Sequence, residues 1–232
     1  MANPKMNDLL ASLPESDLQV LLPCLQLVSL TAGETLAEAG RKSRTIYFPI
    51  SAVVAHSREM SDGLTIDTAS VGSDGMLGCG GLIGTPLHRL YVSQSGLAYR
   101  MDIEDFKSVM PSHPNISDMC MAGVQHILRK ISIELTCSHF HSIHQRVARW
   151  ILAHDDFSRT GSLDVTHQAI AHSLGVRREA VSLALPKMSG CSIGRGRLEI
   201  TDRSLLENET CECYFQLKAT NPDQKKLPFS EN

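Results

Sequence analysis

The sequence has few aromatic residues, 5% with one tryptophan, no surplus of positive charge and no long uninterrupted apolar run. Its longest apolar stretch, around "IYFPISAVVA", is too short and too interrupted to cross a bilayer, so no α-helical membrane span and no membrane partner are expected. The opening "MANPKMNDLLASLPESD" lacks a basic segment followed by an apolar one, the pattern of a secretory signal, and a cytoplasmic location is expected. The seven cysteines, Cys24, Cys79, Cys120, Cys137, Cys191, Cys211 and Cys213, are odd in number and scattered. That argues for reduced thiols and against a disulfide framework. Residues 1–110 hold only His56 and His88, short of the His-x-His plus carboxylate set that a cupin-like barrel enzyme needs. No catalytic residue is assigned, and a non-enzymatic role is expected.

What is present is enough for two modest domains: 232 residues, 42% of them hydrophobic. The net charge of -3 conceals an asymmetry. Residues 1–142 carry ten Lys+Arg against fourteen Asp+Glu, whereas Val165–Ile200 carries five (Arg177, Arg178, Lys187, Arg195, Arg197) against two (Glu179, Glu199). Phosphate contact depends on the field within about a Debye length, ~8 Å at physiological salt, so a locally basic face can hold DNA on an acidic chain.

Along the chain, Leu9, Leu10 and Leu13, then Leu18, Leu21, Leu22 and Leu25, have helical spacings cut by Pro14 and Pro23, which predicts two short helices. From Val28, short runs rich in Val, Ile, Tyr and Thr are broken by glycines, which predicts a small antiparallel β-roll or barrel. After Pro114 the period becomes helical for about forty residues. Met121, Val124, Leu128, Ile131, Leu135 and Ser138 alternate spacings of three and four, a seam that can pack on its own domain or on a twin. "DDFSRTGSLDV" interrupts the helix, and "CSIGRGRLEITDRSLL" predicts a strand, a turn, a strand and a short helix. The expected class is α+β: a β-roll sensor domain over 1–114, a dimerisation helix over 115–142, a winged helix-turn-helix over 143–215 and a polar tail over 216–232.

"VTHQAIAHSLGVRREAVSLAL" carries the reading device. Thr166 suits an N-cap, Ala169, Ile170 and Leu174 a buried face, and Gly175 and Val176 a tight turn anchored to the core. A second helix then starts near Arg177, with Val181 and Leu185 inward and Arg178, Glu179, Ser182 and Leu183 outward. Arginine can donate two hydrogen bonds to guanine and a carboxylate can accept from cytosine, so Arg178 and Glu179 form a base-reading pair. Thr166, Gln168, Ser182 and Lys187 suit phosphate, Arg195 and Arg197 the backbone or minor groove, and Arg177 completes the set. Pro186 should end or kink this helix near Leu185, because it removes the hydrogen bond to the Ser182 carbonyl.

"VTHQAIAHSLGVRREAVSLALPKM" resembles the helix-turn-helix of the CRP/FNR superfamily of bacterial transcription regulators, and "GETLAEAG" at Gly33–Gly40 resembles that family's early β-roll signature. The resemblance covers nearly all of residues 8–215. It implies a homodimer joined through Met121, Val124, Leu128, Ile131 and Leu135, bound to a near-palindromic DNA operator, with RNA polymerase as a further partner and a small-molecule or physical signal read in the β-roll. Leu183 stands where the family has a second arginine, which implies an altered half-site; a module of this fold that has lost specific DNA binding is the alternative. Family members that bind cyclic nucleotides use a Gly-Glu and an Arg-Ser pair. The corresponding segment, Gly72–Val92, has no glutamate and follows Arg89 with Leu90, so cyclic AMP is not expected. Cys79, Gly80, Gly81, His88 and Arg89 are the candidate effector residues, for an effector and cofactor left unassigned. Family members with an iron–sulfur cluster carry several closely spaced cysteines near the N-terminus, where this chain has Cys24 alone. Cys137, His141 and His144 fall at i, i+4 and i+7, on one helical face, but without a fourth ligand in view no metal is assigned. "CEC" at Cys211–Cys213 adds two thiols, which alone do not close a zinc site.

Overall fold

The computed structural model describes residues 3–86, 88–158, 161–194 and 196–219. They form two compact units, divided after Leu128. In the first, α1 (Asp8–Ala11) and α2 (Glu15–Leu21) precede β1 (Gln26–Leu30), β2 (Thr35–Ala37), β3 (Thr45–Pro49), β4 (Val53–Glu59) and β5 (Thr65–Val71). Then come α3 (Gly80–Ile83), β6 (Arg89–Gln94), β7 (Gly96–Asp102), α4 (Ile103–Val109) and the start of α5 (Pro114–Phe140). The second unit takes in the rest of α5, then α6 (Ile143–Ser158), β8 (Ser162–Asp164), α7 (His167–Leu174), α8 (Arg178–Ala184), β9 (Cys191–Gly194), β10 (Arg197–Ile200), α9 (Arg203–Glu209) and α10 (Glu212–Lys218).

The first unit holds two antiparallel sheets, β1-β7-β3 and β2-β6-β4-β5. Strand alternation assigns each face its role. Tyr47 of β3 and Ala98 of β7 meet Val54, Val71, Leu90 and Val92 of the other sheet. Their neighbours Ile46, Phe48, Tyr99 and Met101 pack instead on α1, α2, α4 and the first turns of α5 through Leu10, Leu18, Phe106, Ile116 and Met119. A strand buried on both faces needs a run of apolar residues, and "IYFP" after Thr45 supplies it; each large buried side chain contributes about 1.5–3 kcal/mol. Asn7 fixes the N-terminal segment. It is fully buried, caps α1 by accepting from the Leu10 N–H, and donates to the carbonyls of Pro49 (2.9 Å) and Gly75 (2.8 Å).

The expected elements are present, with differences at their joints. The helical stretch after Pro114 is two helices, broken at His141 and Ser142. Ser142 and Gln145 explain the break: the Gln145 side chain accepts from the Ser142 N–H (3.1 Å) and the Ser142 hydroxyl accepts from the Gln145 N–H (3.3 Å), a reciprocal capping box. A long apolar period overshadows that polar pair in the sequence. The unit division falls inside α5, whereas the sequence places its boundaries at the ends of that helix. The expected tail begins too early, since Glu212–Lys218 is helical and buries Cys213 and Tyr214. "SLD" within the expected break is a strand, β8, whose three residues suffice to pair with β10 at Leu163↔Leu198.

Candidate nucleic-acid interface

α6, α7, α8, α9 and the sheet β8-β10-β9 share one core, in which Val147, Ile151, Ile170, Leu174, Val181, Leu198 and Leu206 are buried. Thr166 caps α7, its hydroxyl accepting from the Ala169 N–H at 3.1 Å. Gly175 ends that helix in the left-handed region (φ 62, ψ 40), a conformation that costs glycine nothing, and Val176 packs back on the core. Arg177 is the extended residue before α8, and α8 gives way at Leu185 to a 3-10 turn, Leu185–Lys187, where Pro186 withholds its N–H.

Arg177, Arg178 and Glu179 are exposed at the start of α8, and Thr166 and Gln168 are exposed at the start of α7. Val165, Thr166, His167, Gln168, Arg178, Ile193, Gly194 and Gly196 line an open cleft of about 500 Å³ between these helix starts and the wing. Ser182 is half-buried, and its hydroxyl is shared with the His167 ring (Nδ1···Oγ 2.9 Å), which ties α8 to α7. Its expected phosphate contact therefore competes with an internal bond, and His167, missed in the sequence, enters the site. Leu183 is 68% exposed, an apolar side chain on the presented face. Lys187 is exposed below the turn. On the wing, Arg197 donates to the Ser162 hydroxyl (3.0 Å) and lies 3.4 Å from the Glu199 carboxylate; Arg195 lies outside the described residues.

The pattern of residue types that defines a Crp-like helix-turn-helix domain matches residues 145–209, the span of these elements. Residues 145–209 are a Crp-like helix-turn-helix domain. The surrounding chain has the fold of CRP/FNR-family regulators. FixK2 from Bradyrhizobium japonicum superposes with a TM-score of 0.68 at 16% identity, over 81% of this chain and 98% of that one. CLP, the c-di-GMP responsive global regulator of Xanthomonas campestris, gives 0.66 at 16% over 81% and 99%. A CRP-family transcriptional regulator from Thermus thermophilus gives 0.65 at 19% over 78% and 95%. At such identities the likeness is one of fold. Among the curated proteins no sequence matches the chain. No helix among the described residues is long and apolar enough to cross a membrane.

Beneath the Crp-like domain's α7, Trp150 donates to the buried Ser173 hydroxyl (2.8 Å) and stacks on His154 at 3.7 Å. His154 is 4% exposed and its Nδ1 lies 2.9 Å from the Trp150 carbonyl. Burial lowers its pKa to about 4. A histidine that is neutral when folded and takes up a proton near pH 6.5 when unfolded makes stability rise with pH between those values. Its contribution is complete above about pH 6.5 and is lost as the pH falls toward 4, a difference of about 3 kcal/mol. Urea unfolding across that range should therefore show a steeper loss for the wild type than for His154→Gln; identical slopes would count against this role.

The expected effector residues have different surroundings. Cys79 is buried in the helical core of the first unit, and Gly81 sits so close to the Ser43 carbonyl that a Cβ would lie 2.6 Å from it. Gly80 is exposed. Arg89 donates twice to the Thr35 hydroxyl (3.1 and 2.7 Å) and lies over the Tyr91 ring, while His88 meets His56 edge-on. Close packing accounts for Gly78 and Gly81, where a Cβ would meet the Thr45 and Ser43 carbonyls, whereas Gly80 and Gly84 have room for one.

The helix seam divides likewise. Met121, Leu128 and Leu135 are 66%, 62% and 60% exposed, whereas Val124 packs on the core of the first unit and Ile131 is half-buried. A residue every seven positions faces one way on a helix, and three of the five leave their own chain uncovered on that face.

Of the cysteine and histidine constellation, His144 turns to Glu209 (3.0 Å). Cys137 and His141 instead meet Cys211 and Cys213, with all four ligand atoms within 4.8 Å of one another. The Cys137–Cys211 hydrogen bond lowers the Cys211 pKa and raises that of Cys137, and burial raises Cys213 to about 11.

Proposed function

We propose that the protein is a homodimeric, sequence-specific transcription regulator whose β-roll answers a signal other than cyclic AMP. The observation that carries this reading is the presentation of Arg178 and Glu179, exposed at the start of α8, on a helix whose other face is locked into the core by Val181 and Ala184. Rigid support matters because a base contact rewards a held side chain. The exposed stripe of Met121, Leu128 and Leu135 pairs with its twin, and two Crp-like domains engage half-sites about one turn of DNA apart, ~34 Å. Thr166 and Gln168 reach phosphate, Arg197 the backbone beside the wing, and Arg177 and Lys187 add to the local field. Leu183 removes one polar contact, so the half-site departs from the usual family sequence.

The reading against cyclic AMP rests on Gly72–Val92, which has no glutamate for a ribose hydroxyl, and on the commitment of Arg89 to Thr35. RNA polymerase is the expected partner of the DNA-bound dimer.

Selection of bound sequences from random DNA supplies the operator. Arg178→Ala should then weaken binding to it by about 5- to 150-fold, the equivalent of ~1–3 kcal/mol for one bidentate contact, and relax preference at a single base pair. An unchanged electrophoretic shift at moderate salt would remove Arg178 from base reading and favour a module that has lost specific binding.

A further inference from the structure

Two thiols that the sequence leaves unexplained meet a third thiol and an imidazole in the second unit. Cys137 and His141 are one helical turn apart at the end of α5, so both side chains leave the same side. Cys211 is the extended residue before α10 (φ -102, ψ 166) and Cys213 lies in that helix's first turn, which lets neighbours with one residue between them converge. Cys137 Sγ is 3.6 Å from Cys211 Sγ, and Cys213 Sγ is 3.6 Å from His141 Nδ1. Three of the four residues are buried, His141 being half-buried.

We propose that Cys137, His141, Cys211 and Cys213 form a tetrahedral Cys3His site for one Zn2+ ion. Around a zinc ion at ~2.3 Å from sulfur and ~2.0–2.1 Å from nitrogen, a tetrahedron has edges of about 3.8 Å between sulfurs and about 3.6 Å between sulfur and nitrogen. The two separations of 3.6 Å match those edges, and the 4.8 Å limit on the remaining pairs leaves room for a single ion. Three thiolates and an imidazole select a soft, tetrahedral cation over Mg2+ or Ca2+.

The surroundings fit the same ion. His141 turns Nδ1 inward and its Nε2 lies 3.1 Å from the Glu212 carboxylate, the outer partner that orients a ligating histidine. Zn2+ with three thiolates carries a net negative charge. Arg149 is 2% exposed, interacts electrostatically with Cys137 and Cys211, and pairs through one Nη with Glu134; its Nε has no hydrogen-bond partner among the described groups. A buried guanidinium with spare donor capacity beside three thiolates offsets part of that charge, the rest of its own being shared with Glu134. The ion would staple the end of α5 to α10 at the break before α6. This holds the helix end by coordination, because the cluster packed there is small, with Ile133 and a partly buried Leu217 joining the cysteines among the described residues.

The test uses the full chain, purified with a phosphine reductant. Metal analysis should find one zinc per chain. After zinc removal, Co2+ should give the intense visible bands of a tetrahedral thiolate site, saturating at one equivalent and displaced by one equivalent of Zn2+. Cys213→Ser and His141→Ala should each weaken Zn2+ binding at least 10-fold, with Cys24→Ser unchanged. Circular dichroism reports whether each variant folds, and the wild-type cobalt titration decides the matter if one does not. Reduced wild-type protein that retains no zinc and leaves Co2+ six-coordinate would overturn the proposal. So would isolation of a Cys137–Cys211 disulfide in a protein that, once reduced, binds no ion.

Discussion

Replacing Leu128 and Leu135 together by aspartate is expected to yield a monomer whose affinity for a two-half-site operator falls by about 10²–10⁴-fold, the gain that linked binding of two sites provides. Both leucines are at least 60% exposed, so the substitution leaves the protomer's own core intact. In a twin-paired helix each would be buried, at about 1.5–3 kcal/mol per side chain, and each aspartate would bring an unpaired charge to the seam. Sedimentation equilibrium checks the association state. Electrophoretic shifts on DNA with one and with two half-sites separate lost pairing from lost reading, because single half-site binding should change little. A double variant that remains dimeric would move the interface elsewhere. Arg178→Ala acts on the other link, leaving the dimer whole while base discrimination drops.

The second large effect concerns folding of the Crp-like helix-turn-helix domain. Gly190 lies between α8 and the wing with φ +79, and its carbonyl accepts from the Thr201 and Asp202 N–H groups at 2.9 and 3.0 Å. A Cβ there would stand 2.1 Å from the Asp202 carbonyl oxygen, a backbone atom that also anchors the start of α9. Gly190→Ala thus combines a left-handed backbone cost of about 1–2 kcal/mol with an overpacking cost of about 1–3 kcal/mol, a loss of up to about 5 kcal/mol. Urea unfolding of the second unit measures it, and a loss under about 1 kcal/mol would show that the wing yields without strain. Because Gly194 and Gly196 line the cleft beside Arg178, a displaced wing should also weaken operator binding.

Much of this was legible in the chain because local rules agreed. Thr166 before an apolar period, Gly175 after it, and Val176, Val181 and Leu185 at core spacing all point to one helix-turn-helix, and Pro186 marks its end correctly. Strand texture likewise announced the sheets. The joints were harder. The Ser142–Gln145 capping box and the three residues of β8 are short polar signals within longer patterns, and their meaning depends on what they pair with.

By itself, then, the sequence determined the class of elements, their order, the locally basic stretch and the outward placement of Arg178 and Glu179, since these follow from spacings within a few turns of chain. Only the tertiary structure decided which outward positions were free and which were already engaged. Ser182 is taken by His167, Arg89 by Thr35 and Val124 by its own unit's core, whereas Met121, Leu128 and Leu135 are left uncovered. It also joined Cys137 and His141 to Cys211 and Cys213, about seventy residues away. Pattern along a chain reports which face a residue occupies; a ligand set assembled from distant segments requires the fold to close the distance.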